Sequence, residues 1–92
     1  MTAHDLKCWP GPFRALLEGV KKFEIREDDR GYQVGDILVL REWLPNDPNV
    51  KIGEHNVPGA YSGEVLHRRV TYLSRIDIHG AAEFVVMSLE DA

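Results

Sequence analysis

Four consecutive branched aliphatic residues, Ile37-Leu38-Val39-Leu40, put the tightest limit on what this chain can fold into. A strand sends successive side chains to opposite faces, so a run with no polar member must be covered on both sides. Arg41-Glu42-Trp43 extends the run. Such a strand belongs at the centre of a sheet that closes on itself or carries a second layer. The cover has to come from within 92 residues, enough for one domain with one compact core and too few for two.

The flanking segments supply short elements. His4 to Lys7 reads as a first strand, broken by Cys8-Trp9-Pro10-Gly11-Pro12. Pro12 suits the first turn of a helix, and Phe13, Leu16, Leu17 and Val20 fall on one helical face. Gly19 is placed to end that helix in the left-handed conformation, with Val20 folding back onto the apolar face. Lys21 and Lys22 complement the negative end of the helix dipole. Lys22-Phe23-Glu24-Ile25-Arg26 then alternates polar and apolar, which is a half-buried strand anchored by Phe23 and Ile25. Glu27 to Gly31 and Val34-Gly35-Asp36 are polar turns.

Residues 44–62 carry three prolines and few periodic apolar residues, so a long loop is expected at about 45–62. Strand character resumes from Glu64 to Ile76, with Leu66, Val70, Tyr72 and Ile76 on one parity and Arg69, Thr71 and Arg75 on the other. Asp77 to Ala82 reads as a turn and Glu83 to Leu89 as a last strand. One helix after the first strand and about five strands predict an α+β domain built as a small β-barrel plugged by the helix.

Composition excludes several functional classes. Cys8 is the single cysteine, so neither an intrachain disulfide nor a CxxC zinc or redox site is available. No apolar run approaches the roughly 20 residues that cross a bilayer, and the start of the chain has no basic and apolar leader, so a cytoplasmic protein without membrane contact is expected. The net charge is −4 and the pI about 5.5. Nucleic acid held by bulk phosphate neutralisation requires a basic domain, so any anion here must meet a local cluster.

The candidate cluster is Lys21, Glu24 and Arg26. Strand parity puts Glu24 and Arg26 on one face, about 7 Å apart along it. If the three converge in a cleft, they supply a fixed cation, a proton acceptor and a planar bidentate donor. The bland alternative is a solvated salt bridge. Trp9 is able to stack on a base or to pack under the helix start; Lys7 is a cleft cation or a solvated lysine; His4 has the opposite parity to Lys7. His55, His67 and His79 show no metal-ligand spacing, and Asp28-Asp29 reads as a solvated turn, so no metal is expected. Arg68, Arg69 and Arg75 are either a basic rim along the late strand or, more often for such arginines, the exposed face of a sheet. With no Walker loop, G-x-S-x-G elbow or G-x-G-x-x-G, no cofactor is expected either.

The run Gly19-Val20-Lys21-Lys22-Phe23-Glu24-Ile25-Arg26 fits G-x-K-x-x-E-x-R and resembles the signature of the ASCH domains of the PUA-like superfamily. His4-x-Leu6-Lys7-x-Trp9-Pro10, Val34-Gly35-Asp36 and Phe84-Val85-Val86-Met87 resemble a small bacterial and phage ASCH-like family of uncharacterised proteins, so the likeness spans nearly all of the chain except the long loop. The resemblance implies a PUA-like barrel and an association with RNA, nucleotides or modified nucleosides. Lys7, Trp9, Lys21, Glu24 and Arg26 are then the ligand-binding residues, with RNA the favoured ligand. It also implies a hydrolase alternative, an amidohydrolase or ribonuclease using Lys21 and Glu24. The amidohydrolase type carries threonine where this chain has Glu24. A third reading, from the acidic balance and the loop, is a protein-interaction module.

Overall fold

The computed structural model describes residues 1–51, 57–77 and 83–92. The middle of the expected loop, the turn after Asp77, His55 and His79 lie outside the described residues. The elements run β1 (Ala3–Cys8), α1 (Pro10–Leu17), β2 (Phe23–Glu27), β3 (Ile37–Pro45), β4 (Gly59–Asp77) and β5 (Glu83–Asp91). All five strands form one sheet in the order β1-β3-β4-β5-β2. β1 pairs with β3 in parallel, and the other pairs are antiparallel. β3 and β4 pair as far as Pro45 and Gly59, so strand structure enters the expected loop from both sides.

The fold is α+β, with the predicted number of strands among the described residues, but the sheet is open and not a barrel. β1 and β2, at its two ends, do not pair with each other. The sheet nevertheless curls strongly. β4 is long enough to pair with β3 along its first half and β5 along its second, and register shifts occur at Arg41/Trp43 and at Val70/Tyr72. Such bulges bend and twist a strand. The curl brings the two ends close enough for side chains to span the gap. Arg26 Nη2 donates to the Lys7 carbonyl at 3.0 Å, and Arg30 Nη1 to the Asp5 carbonyl at 2.9 Å. Thr2 O accepts from Ile37 N on the β3 side, so by strand alternation the odd-numbered carbonyls of β1 face the gap. Guanidinium groups thus occupy the seam where a barrel would have a backbone ladder.

The concave face carries the core. Leu38 and Leu40 are fully buried, joined by Leu6, Cys8, Val70, Val85 and Met87 from the sheet and by Phe13, Leu16 and Tyr32. Each such side chain contributes about 2 kcal/mol through its removal from water. Helix α1 starts at Pro10, two residues before the expected start. Both prolines sit in the first turn, where backbone N–H groups lack helical partners anyway. At the other end Gly19 has φ +78°, Gly19 N donates to Leu16 O and Val20 N to Ala15 O, which is a Schellman termination. Only Phe13 and Leu16 of the expected apolar face are buried; Leu17 and Val20 are exposed. The glycine turn directs the chain toward β2 and leaves Val20 in solvent.

Parity fails in two further places. On β2 the polar side chains face inward: Glu24 is buried, while Phe23 and Ile25 are about half exposed. On β4 the bulge at Val70/Tyr72 reverses the faces, so Tyr72 and Ile76 point outward and Leu73 packs against the core.

Candidate functional site

The site is built where the helix exit meets the open seam. The Schellman turn sets the Lys21 backbone, whose N–H also donates to Ala15 O. Three residues later Glu24 projects into the concave face opposite Met87, and Arg26 follows on the same face opposite Val85. Glu24 Oε1 receives Lys21 Nζ at 2.7 Å, and Oε2 receives Arg26 Nε at 2.9 Å. The glutamate side chain is 4% exposed, against 20% for Lys21 and 24% for Arg26. The acid is therefore covered while its two cations reach solvent.

The consequence for chemistry is direct. Both Glu24 oxygens are committed to cations. Each cation retains hydrogen-bonding capacity: the ammonium has three donors and uses one, and Arg26 Nη1 has no partner among the described residues. The cluster is a fixed donor array suited to a ligand rich in acceptors.

These groups line a cleft of about 450 Å³ together with Lys7 and Trp9. All five residues singled out from the sequence meet there. Lys7 sits at the rim, its Nζ 3.9 Å from the centre of the Trp43 ring. Trp9, at the N-cap position of α1, forms part of the wall. His4 is elsewhere: it is buried, bonded through Nε2 to Asp36 Oδ2 at 2.8 Å. Asp36 also accepts from Thr2 N and Gln33 N. Burial pushes the Asp36 carboxyl up, but the His4 hydrogen bond and the two backbone donors outweigh it and leave its pKa lowered. This pair ties the V-G-D turn to β1 and is architectural.

Three cleft residues escaped the sequence reading. Arg30 lies in what reads as a polar turn, yet it bridges the seam and lines the cleft. Tyr32 is buried against His4, ring centres 4.7 Å apart. Burial raises its hydroxyl pKa, opposed by Arg30 and then Arg26. Cys8 lies in the floor. Burial first, with the Glu24 charge adding to it, pushes its thiol up to about 11, so it is not a thiolate nucleophile at neutral pH. The available signal was the aromatic at Tyr32 leading into V-G-D. For Arg30 there was none, because its partner is a backbone carbonyl 25 residues away.

The β4 arginines are engaged in ion pairs and carbonyl contacts. Arg75 binds Asp28 at 2.7 Å and the Tyr32 carbonyl, Arg69 binds Glu90, and Arg68 reaches the Leu16 carbonyl at the end of α1. Asp28 is therefore no solvated turn residue, since its side chain is 8% exposed and held by Arg75. Among the described residues no three His, Cys, Asp or Glu side chains converge as metal ligands, and no helix is long and apolar enough to cross a membrane.

Comparison with known proteins places the chain in a family. The profile of a domain of unknown function, DUF3850, matches residues 3–89, and the chain belongs to that family. It is also 34% identical over 68 residues to an uncharacterized 12.9 kDa protein in the GpA 3′ region of Escherichia phage P2. The match covers 74% of this chain and 50% of the phage protein, so the chain spans about half the length of the curated relative it matches.

Proposed function

We propose that this DUF3850 domain is an ASCH-type, PUA-like module that binds single-stranded RNA or a nucleotide-like ligand in the seam cleft. The observation that carries the reading is the Lys21–Glu24–Arg26 cluster. A buried glutamate holds two cations in fixed positions, and their unused donors meet a cleft that also offers Trp9 and Tyr32. Phosphate and base-carbonyl oxygens are acceptors, and charge-assisted bonds to them are the strong kind. A local array also suits a chain whose net charge is −4, where the overall field repels nucleic acid.

The hydrolase alternative draws less support from the same geometry. A general base has to come within hydrogen-bond reach of the substrate, and the Glu24 side chain is 4% exposed beneath its two cations. The discriminating test is titration of a labelled short single-stranded RNA and a nucleotide panel with the wild type, Lys21→Ala and Arg26→Ala, with circular dichroism as a fold control. Loss of binding in both folded variants supports the reading, and unchanged affinity in both rules it out. Release of product from RNA or acylated nucleosides, abolished by Lys21→Ala, would establish the enzyme instead.

A protein-interaction module has one observation in its favour. The outer face of β2, β5 and β4 presents Phe23, Ile25, Tyr72 and Ile76 to solvent. A complex that survives nuclease treatment and Lys21→Ala but is lost on Phe23→Ser with Ile25→Ser would support it.

A further inference from the structure

Trp9 borders two cavities. One is the seam cleft with its cations. The other, about 380 Å³, lies on the helix-start side and is lined by Trp9, Pro10, Leu44, Pro45, Pro48 and Val50. Among the described residues no charged side chain lines this second cavity, in a chain of which 28% of residues are charged. Lys7 lines the seam cleft, and its Nζ rests on the ring of Trp43.

The two cavities differ in the way that two parts of one ligand differ. The seam cleft offers donors for phosphate or carbonyl oxygens. The second offers a flat indole, proline rings and aliphatic carbon, which suit an uncharged planar ring excluded from water. With phosphate and base both seated in the seam cleft of about 450 Å³, against its Trp9 wall, a mononucleotide has no second base for the other cavity, whereas a single-stranded oligonucleotide has one at the next position. Base stacking on aromatic side chains is a general mode of single-strand recognition.

We infer that the Trp9–Pro48 cavity is a second base subsite, so that the ligand is an oligonucleotide of at least two residues with its phosphate on Lys21 and Arg26. The inference rests on the nucleotide reading of the seam cleft and adds to it a size requirement and an apolar neighbour site.

The experiment is calorimetric titration with the methyl diester of uridine monophosphate, whose phosphate carries the same single charge as that of the dinucleotide, and with the dinucleotide UpU. The proteins are the wild type, Lys21→Ala, Leu44→Glu and Leu44→Gln. Leu44 is 45% exposed at the end of β3, so polar replacements there leave the core intact. The expected result is about tenfold tighter binding of UpU than of the methyl diester by the wild type, the size of one stacked base. Both Leu44 variants should erase that advantage and leave methyl diester binding unchanged; the uncharged Gln variant separates lost stacking from charge repulsion. Equal wild-type affinity for the two probes overturns the subsite, as does a Leu44 effect on both probes or on neither. Methyl diester binding that is absent, or indifferent to Lys21→Ala, overturns the underlying nucleotide reading instead. A proline-rich peptide whose binding is lost in the Leu44 variants but kept in Lys21→Ala would assign the cavity to protein and overturn the proposal.

Discussion

Two buried glutamates, both neutralised by basic side chains, do different work in this small domain. Glu42 on β3 is 1% exposed and takes both Arg14 Nε and Nη2 at 3.2 Å. Arg14 comes from α1 and also reaches Glu64 on β4 at 2.9 Å, so the cluster fastens the helix to the sheet. Glu24 on β2 takes its cations from its own neighbourhood in sequence, and its one tie to a distant strand is the Arg26 bond to the Lys7 carbonyl. Its cations instead hold spare donors toward a cleft. A buried acid with a remote partner is architecture. A buried acid whose local partners retain unused valence at a cavity is a site.

The difference is sharpest in stability. Arg14→Met leaves Glu42 buried and uncompensated, a loss in the range of about 3 kcal/mol. The expected outcome is a melting temperature lower by roughly 10–20 °C, with RNA affinity of the folded protein unchanged. Lys21→Ala or Arg26→Ala should do the reverse. Glu24 keeps one cation, so stability falls by about 1 kcal/mol, while RNA affinity falls by roughly thirtyfold, the value of a lost charge-assisted contact at about 2 kcal/mol. Thermal melts and RNA titrations on the same three variants check both statements.

How the sequence foreshadowed these roles also separates the two regions. Lys21, Glu24 and Arg26 lie within six residues, and local spacing was enough to group them. The Arg14–Glu42 and His4–Asp36 pairs are 28 and 32 residues apart, and no pattern in the chain links their members. Strand existence was legible from periodicity. Facing was not, because one bulge at Val70/Tyr72 inverts everything after it. On β2 the apolar residues face out because the inward places are taken by a satisfied ion cluster. Barrel closure was not legible either. Whether two sheet ends meet by backbone or by arginine depends on curl accumulated over the whole sheet.

The third pair extends the comparison to pH. Asp36 has a folded-state pKa below its ordinary 3.8, so its contribution is fully present above that value and is lost as pH falls through the lower folded value. Asp36→Asn should therefore cost about 1 kcal/mol at neutral pH, and the gap to the wild type should close in strong acid, as denaturant midpoints across acidic pH would show. The smallest effect belongs to Cys8. With its thiol pushed up to about 11 and the side chain 2% exposed, iodoacetamide at mildly alkaline pH should leave it unmodified in the folded protein and label it in denaturant. Rapid labelling of the folded state would show that the cleft floor is open.

The central claim is that Lys21 and Arg26 are held for a ligand, whereas Arg14 is held for the fold. The most direct measurement is fluorescence anisotropy of a labelled short single-stranded RNA with the wild type, Arg26→Ala and Arg14→Met, at a temperature where circular dichroism shows all three folded. Binding weakened about thirtyfold in Arg26→Ala and unchanged in Arg14→Met is the predicted result. Equal affinity in all three proteins, or equal loss in both variants, would contradict it.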